Sequence, residues 1–169
     1  MSVLIVIPAR YASTRYPAKP LALLTGASGT ARSLIERSWR AACEVQGVDK
    51  VVVATDDDRI KDAAEAFGAE VVMTSVDCAN GTERCAEAHA VLGGGYDIVV
   101  NLQGDAPLTP HWFVESLVQG LQGDPSAGIA TPVLRCDGAA LNGLLADRKA
   151  GRVGGTTAVF AADHAAMYF

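Results

Sequence analysis

The chain predicts an α/β protein, a largely parallel mixed sheet flanked by helices in a three-layer sandwich. Three observations predict it. Short apolar runs at Val3–Ile7, Lys50–Thr55, Ala69–Met73 and Asp97–Leu102 are rich in β-branched residues, as strands buried on both faces are. Segments with apolar residues at helical spacing lie between them. The connections have the length of crossovers between parallel strands, not of hairpins.

Taken in order, the first strand begins at Ser2 and runs through Val3-Leu4-Ile5-Val6-Ile7, where Pro8 is expected to stop it. Thr30 is expected to cap a helix carrying Leu34, Ile35, Ser38, Trp39, Ala42 and Val45 on one face, with Gly47 ending it. Lys50–Thr55 is the second strand. Asp57 or Asp58 caps a helix with Ile60, Ala63, Ala64 and Phe67 on one face before Gly68, and Ala69–Met73 follows as a strand. The run 80–84, Asn-Gly-Thr-Glu-Arg, reads as a turn opening a helix to about Leu92, and three glycines, 93–95, break the chain before the strand Asp97–Leu102. Pro110–Leu121 reads as a helix with Pro110 near its first turn, and Ile129–Leu134 as a further strand. Asp137–Lys149 reads as helical, and Gly151–Phe160 as a strand interrupted by Gly154-Gly155.

With 169 residues, half of them hydrophobic, the chain is read as a single domain over 1–169. A net charge of -5 without any basic stripe argues against nucleic acid as a partner. The four cysteines (Cys43, Cys78, Cys85, Cys136) form no CxxC pair and have no histidine at zinc-ligand spacing, so they read as reduced packing residues. His89, His111 and His164 have no paired neighbours and read as structural or exposed; Trp39 and Trp112 read as packing residues. No segment approaches the roughly 18 apolar residues that span a bilayer. The opening apolar run is short and lacks a basic leader. A cytoplasmic location without membrane contact is the expectation.

Chemistry concentrates at two strand ends. The loop after the first strand carries Arg10, Arg15 and Lys19 and no acid, which suits a polyphosphate held by charge-assisted, partly bidentate hydrogen bonds. Backbone N–H groups around Ala12, Ser13 and Thr14 could add a phosphate nest, although no glycine-rich Walker pattern is present. The fourth strand ends in Gln103-Gly104-Asp105-Ala106-Pro107, leaving Asp105 at the sheet edge where open α/β proteins bind ligands. A hard Mg²⁺ ion takes oxygen ligands and commonly shares one or two carboxylates with substrate phosphates, so Asp105 is the candidate metal ligand. At the start of the helix after the third strand, Gly81 permits close approach of backbone to a ligand, and Arg84 can pair with Glu83 or with an anion; a plain capping turn is the alternative.

These motifs resemble one family. The run 7–21, IPARYASTRYPAKPL, closely resembles the N-terminal signature of the 3-deoxy-manno-octulosonate (Kdo) cytidylyltransferases. Residues 101–107 resemble the family's N-V/L-Q-G-D-E-P, and residues 80–84 its S-G-T-E-R. Ala106 replaces a common glutamate, Asn80 a serine, and Ala18 a common glycine, so the backbone at 18 should be one alanine tolerates. The Gly154-Gly155-Thr156-Thr157 segment departs from the family's pattern and is assigned no chemistry.

The resemblance implies a nucleotidyltransferase fold, Rossmann-like in its layers, and the transfer of CMP from CTP to Kdo for lipopolysaccharide synthesis. It implies catalytic roles for Arg10, Arg15, Lys19 and Asp105, nucleotide contacts from Ala9, Arg10, Ser13, Arg15, Lys19, Gly81, Thr82, Arg84 and Gln103, Mg²⁺ on Asp105, and a homodimer. It covers about the first two-thirds of the family's length, and the portion completing the sugar site is expected beyond the apolar ending Met167-Tyr168-Phe169. The tyrosine-serine-threonine loop matches the Kdo type better than the glycine-lysine loop of sialic-acid enzymes. An 8-amino-Kdo enzyme and a non-catalytic nucleotide-binding domain remain as alternatives.

Overall fold

The computed structural model describes residues 1–12, 16–152 and 155–168. Where the sequence is read as one domain, these residues form two compact units, Met1–Ala130 and Thr131–Phe169. The first unit opens with β1 (Val3–Ala9), followed by a 3-10 turn (Lys19–Leu21) and a small antiparallel hairpin of β2 (Leu23–Thr25) and β3 (Ala31–Ser33). Next come α1 (Leu34–Cys43), β4 (Lys50–Thr55), α2 (Asp58–Ala66), β5 (Glu70–Met73), α3 (Gly81–Val91), β6 (Ile98–Asn101) and α4 (His111–Gly123). The main sheet has the order β5-β4-β1-β6 and is parallel throughout; antiparallel pairing is confined to small separate hairpins.

β1 runs through the centre of this sheet. Val3 to Ile7 are all fully buried, because both faces of the strand are covered. Ile5 and Ile7 face a cluster with Ile35 and Ala42 of α1, Ile60 and Ala64 of α2, and Val114 and Val118 of α4. Leu4 and Val6 face the opposite cluster, with Val52 and Ala54 of β4 and Cys85 and Ala88 of α3. At roughly 1.5–3 kcal/mol per buried aliphatic side chain, this strand and its two clusters dominate the unit's stability.

Four expectations are corrected. Pro8 does not end β1, which continues to Ala9 with Pro8 opposite Ala54. The Val6 carbonyl accepts from Leu102 on the β6 side, so Pro8, two residues on, faces that same side, where pairing has already stopped at Val6 and Asn101. Its missing N–H therefore forfeits no ladder bond. Second, the hairpin occupies Thr30, whose carbonyl accepts from Gly26 N–H, and α1 is capped by Ser33, whose hydroxyl accepts from Glu36 N–H at 3.3 Å. Third, α1 ends at Cys43 rather than at Gly47, which sits at φ +75° in the turn before β4. Fourth, Ile129–Leu134 forms no strand; strand propensity is realised only by pairing, and these residues pair with no strand in the described structure. Three helix signals hold: Asp57 caps α2, Gly68 follows it at φ +91°, and Asn80 caps α3.

The second unit consists of α5 (Gly138–Lys149), whose N-cap Asp137 accepts from Ala140 N–H at 2.7 Å, and a hairpin of β7 (Val159–Phe160) and β8 (Ala166–Tyr168). Of the strand expected over Gly151–Phe160, only the last two residues are extended and paired, while Val153 and Gly154 lie outside the described residues. Among the described residues no helix is long and apolar enough to cross a membrane.

Candidate active site

All four strands of the main sheet point their carboxyl ends to one edge, and there a cavity of about 300 Å³ opens. The end of β1 supplies Pro8, Ala9 and Arg10 to its lining, and the 3-10 turn supplies Lys19 and Pro20. Gln103, Gly104 and Asp105 arrive from β6. The remaining wall includes Cys78 and the opening of α3, with Asn80, Gly81 and Arg84. Of the sequence-predicted site residues, Ala9, Arg10, Lys19, Gly81, Arg84, Gln103 and Asp105 thus share one cavity. Ser13 and Arg15 lie outside the described residues. Thr82 is exposed and stands outside the lining: on a helix, Gly81 and Arg84 share a side and Thr82 points elsewhere.

Lys19 Nζ donates to Asp105 Oδ2 at 2.6 Å, with both side chains about half exposed (45% and 51%). A pair this exposed stabilises the fold by only about 0–1 kcal/mol, so either partner can be drawn to a ligand at little cost. Arg10 is exposed beside them. Together these residues present two cations and one carboxylate within a single hollow.

The turn that carries Asp105 is fixed from below. Gly104 approaches β1 so closely that a Cβ there would lie 2.8 Å from the Pro8 carbonyl oxygen and 3.3 Å from Ile35 Cδ1. The buried Ser38 hydroxyl donates to the Gly104 carbonyl at 2.8 Å. Sequence reasoning placed Ser38 on the core face of α1 without a role; a polar residue amid apolar positions was the available signal. Gln103 Nε2 donates to Asn101 Oδ1 at 2.9 Å, holding that amide at the rim.

α3 opens with a reciprocal cap. Asn80 Oδ1 accepts from Glu83 N–H at 2.9 Å, while the Glu83 carboxylate accepts from Ala79 N–H at 2.8 Å and Asn80 Nδ2 at 3.0 Å. Glu83 is thereby occupied, and of the two partners read for Arg84, Glu83 or an anion, the Glu83 pair is not among the ion pairs of the described residues. Arg84 instead turns inward to Thr74 and Asp56. Those two partners went unnoticed in the sequence because they lie on separate strand ends.

The loop between β1 and the 3-10 turn is closed by a bond from Ala18 N–H to the Tyr11 carbonyl, 3.1 Å. The Arg59 guanidinium stacks 3.3 Å above the centroid of the Tyr11 ring, tying the loop to α2. Ala18 itself sits at φ 57°, ψ 21°, which corrects the expectation of a conformation comfortable for alanine. Glycine enters this left-handed region without the Cβ clash. Ala18→Gly should therefore raise stability by roughly 0.5–1 kcal/mol in urea denaturation; a loss of stability would contradict the assigned backbone.

No thiol near the cavity is activated. The Cys78 thiol donates to Glu87 Oε2 at 2.9 Å, and that carboxylate holds the thiol above its ordinary pKa. Burial pushes Cys85 up to about 12. Nucleophilic cysteine catalysis finds no support in these two residues. His89 and His111 line no part of the cavity, and His111 pairs with Glu115 at 3.1 Å; within the second unit His164 stacks on Phe160, 6.0 Å between ring centroids. Trp39 meets Phe67 at the margin of the core, 5.3 Å between ring centroids.

Residues 4–142 match the model of the cytidylyltransferase family. The chain belongs to that family. Over 169 residues the chain is 51% identical to a 3-deoxy-manno-octulosonate cytidylyltransferase of Maricaulis maris, covering 100% of this chain and 63% of that protein. An 8-amino-3,8-dideoxy-manno-octulosonate cytidylyltransferase of Shewanella frigidimarina is 46% identical over 126 residues, 74% of this chain and 49% of the relative. Among solved structures, a CMP:2-keto-3-deoxy-manno-octonic acid synthetase complexed with CTP superposes with a TM-score of 0.68 at 41% identity, covering 75% of this chain and 49% of that one. The chain thus spans less than two thirds of the length of these relatives. The α/β nucleotidyltransferase fold read from the sequence is the fold of this neighbour.

Proposed function

We propose that this chain carries the CTP-binding half of a Kdo cytidylyltransferase, which transfers CMP from CTP to Kdo and releases pyrophosphate. The observation that carries the reading is the convergence of Arg10, Lys19, Gln103 and Asp105 on one cavity at the carboxyl edge of the sheet. In the reaction, a sugar hydroxyl oxygen bonds to the α-phosphorus of CTP and loses its proton, while the bond to the pyrophosphate oxygen breaks. Negative charge grows on the leaving and non-bridging oxygens, so fixed cations accelerate the step. Lys19 and Arg10 neutralise that charge, and Arg15 joins them from the same loop. Gln103 and Gly81 are assigned to the base or sugar end and Ala9 to the phosphate side, and a nucleotide contact is proposed for Ser13 from the sequence resemblance alone.

The donor chemistry at the cavity fits a magnesium ion in one way. Asp105 offers a single hard, exposed carboxylate, and magnesium is commonly bound through one or two carboxylates together with substrate phosphates. Asp105 would hold the ion, which when bound supplies charge neutralisation on the phosphates. Lys19 leaves Asp105 for a phosphate as the nucleotide enters.

The product serves lipopolysaccharide synthesis, the proposed location is the cytoplasm, and the proposed assembly is a homodimer. Pyrophosphate release from CTP by the full-length protein tests the reading. Release that depends on Kdo is the expected result. Release with 8-amino-Kdo alone would assign the other sugar, which the Shewanella relative makes the second candidate. CTP binding without turnover on either sugar would leave a nucleotide-binding module.

A further inference from the structure

The first turn of α3 borders the cavity with Asn80 and Gly81, yet the same turn buries an arginine. Arg84 is 3% exposed. A buried guanidinium persists only where hydrogen bonds and an opposite charge replace its hydration. Here each arm reaches a different strand end. Nη1 donates to the hydroxyl of Thr74, one residue beyond β5, and Nη2 lies 3.4 Å from Asp56 Oδ2, one residue beyond β4. Through its own backbone, Arg84 N–H donates to the Asn80 carbonyl at 3.2 Å.

The same turn is seated on the other two strand ends through Gly81. A Cβ at Gly81 would lie 3.3 Å from Pro8 Cγ, at the end of β1, and 3.4 Å from Gln103 Nε2, beyond β6. The wall of the cavity formed by this turn, Arg84 included, is therefore located by contacts at the ends of all four strands, and Arg84 supplies those at the ends of β4 and β5. Turning Arg84 outward to a ligand would strand Asp56, whose Oδ1 is already buried without a partner among the described residues.

We propose that Arg84 is a positioning residue: with Asp56 and Thr74 it sets where Asn80 and Gly81 stand across the cavity, and so tunes nucleotide affinity without touching the phosphates. The assignment rests on reading the cavity as the CTP site. It differs from the expectation that Arg84 contacts an anion directly, and the two separate at Asp56. Removing the Asp56 charge should harm a positioning network. It should leave unchanged, or strengthen, a cation that acts on phosphate.

The test uses the full-length protein with Arg84→Lys, Asp56→Asn, Thr74→Val and the double variant Asp56→Asn/Arg84→Lys. Each of the first two should raise the KM for CTP about tenfold, the scale of one lost hydrogen bond to a charged group, with a much smaller change in kcat. The double variant should be no worse than the more impaired single, because the residues act as a unit. Amides 80–84 should exchange hydrogen faster in the nucleotide-free variants than in the parent protein. Thr74→Val nearly keeps side-chain volume and removes only the hydroxyl, so it reports even if the charge variants fold poorly. Unchanged KM and unchanged amide exchange in Asp56→Asn or Thr74→Val would overturn the proposal, as would an additive double variant. Absence of CTP turnover in the parent protein would strike the functional reading, while the amide exchange would still decide the network.

Discussion

Asp105→Asn is expected to abolish turnover, a loss of at least about 10³-fold, and to remove the magnesium dependence of CTP binding. Asparagine keeps the size of the side chain and retains an oxygen that can accept from Lys19, so the fold should tolerate the change. The parent pair is half exposed, and its loss should cost no more than about 1 kcal/mol of stability. A collapse in rate without a collapse in stability is the signature of a group that acts on the ligand. Calorimetry with and without Mg²⁺, beside a pyrophosphate-release assay, reads both halves. Equal CTP affinity in all four conditions together with retained turnover would remove Asp105 from the site.

Gly104→Ala should damage the same carboxylate from beneath. The new methyl group would stand 2.8 Å from the Pro8 carbonyl oxygen, a backbone atom near the end of a strand whose first five residues are fully buried, and 3.3 Å from Ile35 Cδ1. Neither a rotamer change nor a shift of β1 relieves that clash cheaply, so the turn must move and carry Asp105 with it. We expect a destabilisation of about 1–3 kcal/mol in urea, as for other overpacked cores. Turnover should fall roughly 100-fold, the penalty for misplacing a reacting group by about an ångström. Ser38→Ala removes only the hydrogen bond to the Gly104 carbonyl and should cost about 1 kcal/mol with a milder loss of rate. Parent-like folding and turnover in Gly104→Ala would show that the turn is not held where the structure places it.

How much of this was legible in the sequence follows from which signals are local. β1, β4, β5 and β6 announce themselves as buried apolar runs, Asp57 as a cap and Asn80 as the opening of a helix, because strand burial and helix capping are decided within a few residues. The positions of Arg10, Lys19 and Asp105 at strand ends were readable for the same reason. The β2–β3 hairpin was missed because its strands are three residues each and largely exposed, leaving no hydrophobic alternation to read. Pro8 misled because its effect depends on which neighbour it faces, a property of the assembled sheet. At Ala18 the family's glycine was the sign of a left-handed backbone, and the alanine itself pointed the other way; the residue sits at φ 57° where the loop closes onto Tyr11. The roles of Asp56, Thr74 and Ser38 arise from contacts ten to sixty-six residues apart in the chain. The run Ile129–Leu134 has the composition of a strand and no strand partner among the described residues.

A crystal structure of the protein with CTP and Mg²⁺ decides where the triphosphate lies. It is expected in the cavity between the end of β1 and the first turn of α3, with Arg10 and Lys19 on phosphate oxygens. The 2.6 Å bond between Lys19 and Asp105 should be broken, with Asp105 on the metal ion. A nucleotide bound elsewhere, for example in the open hollow of about 470 Å³ lined by Arg32, Arg37 and Arg40, with the Lys19–Asp105 bond intact, would contradict it.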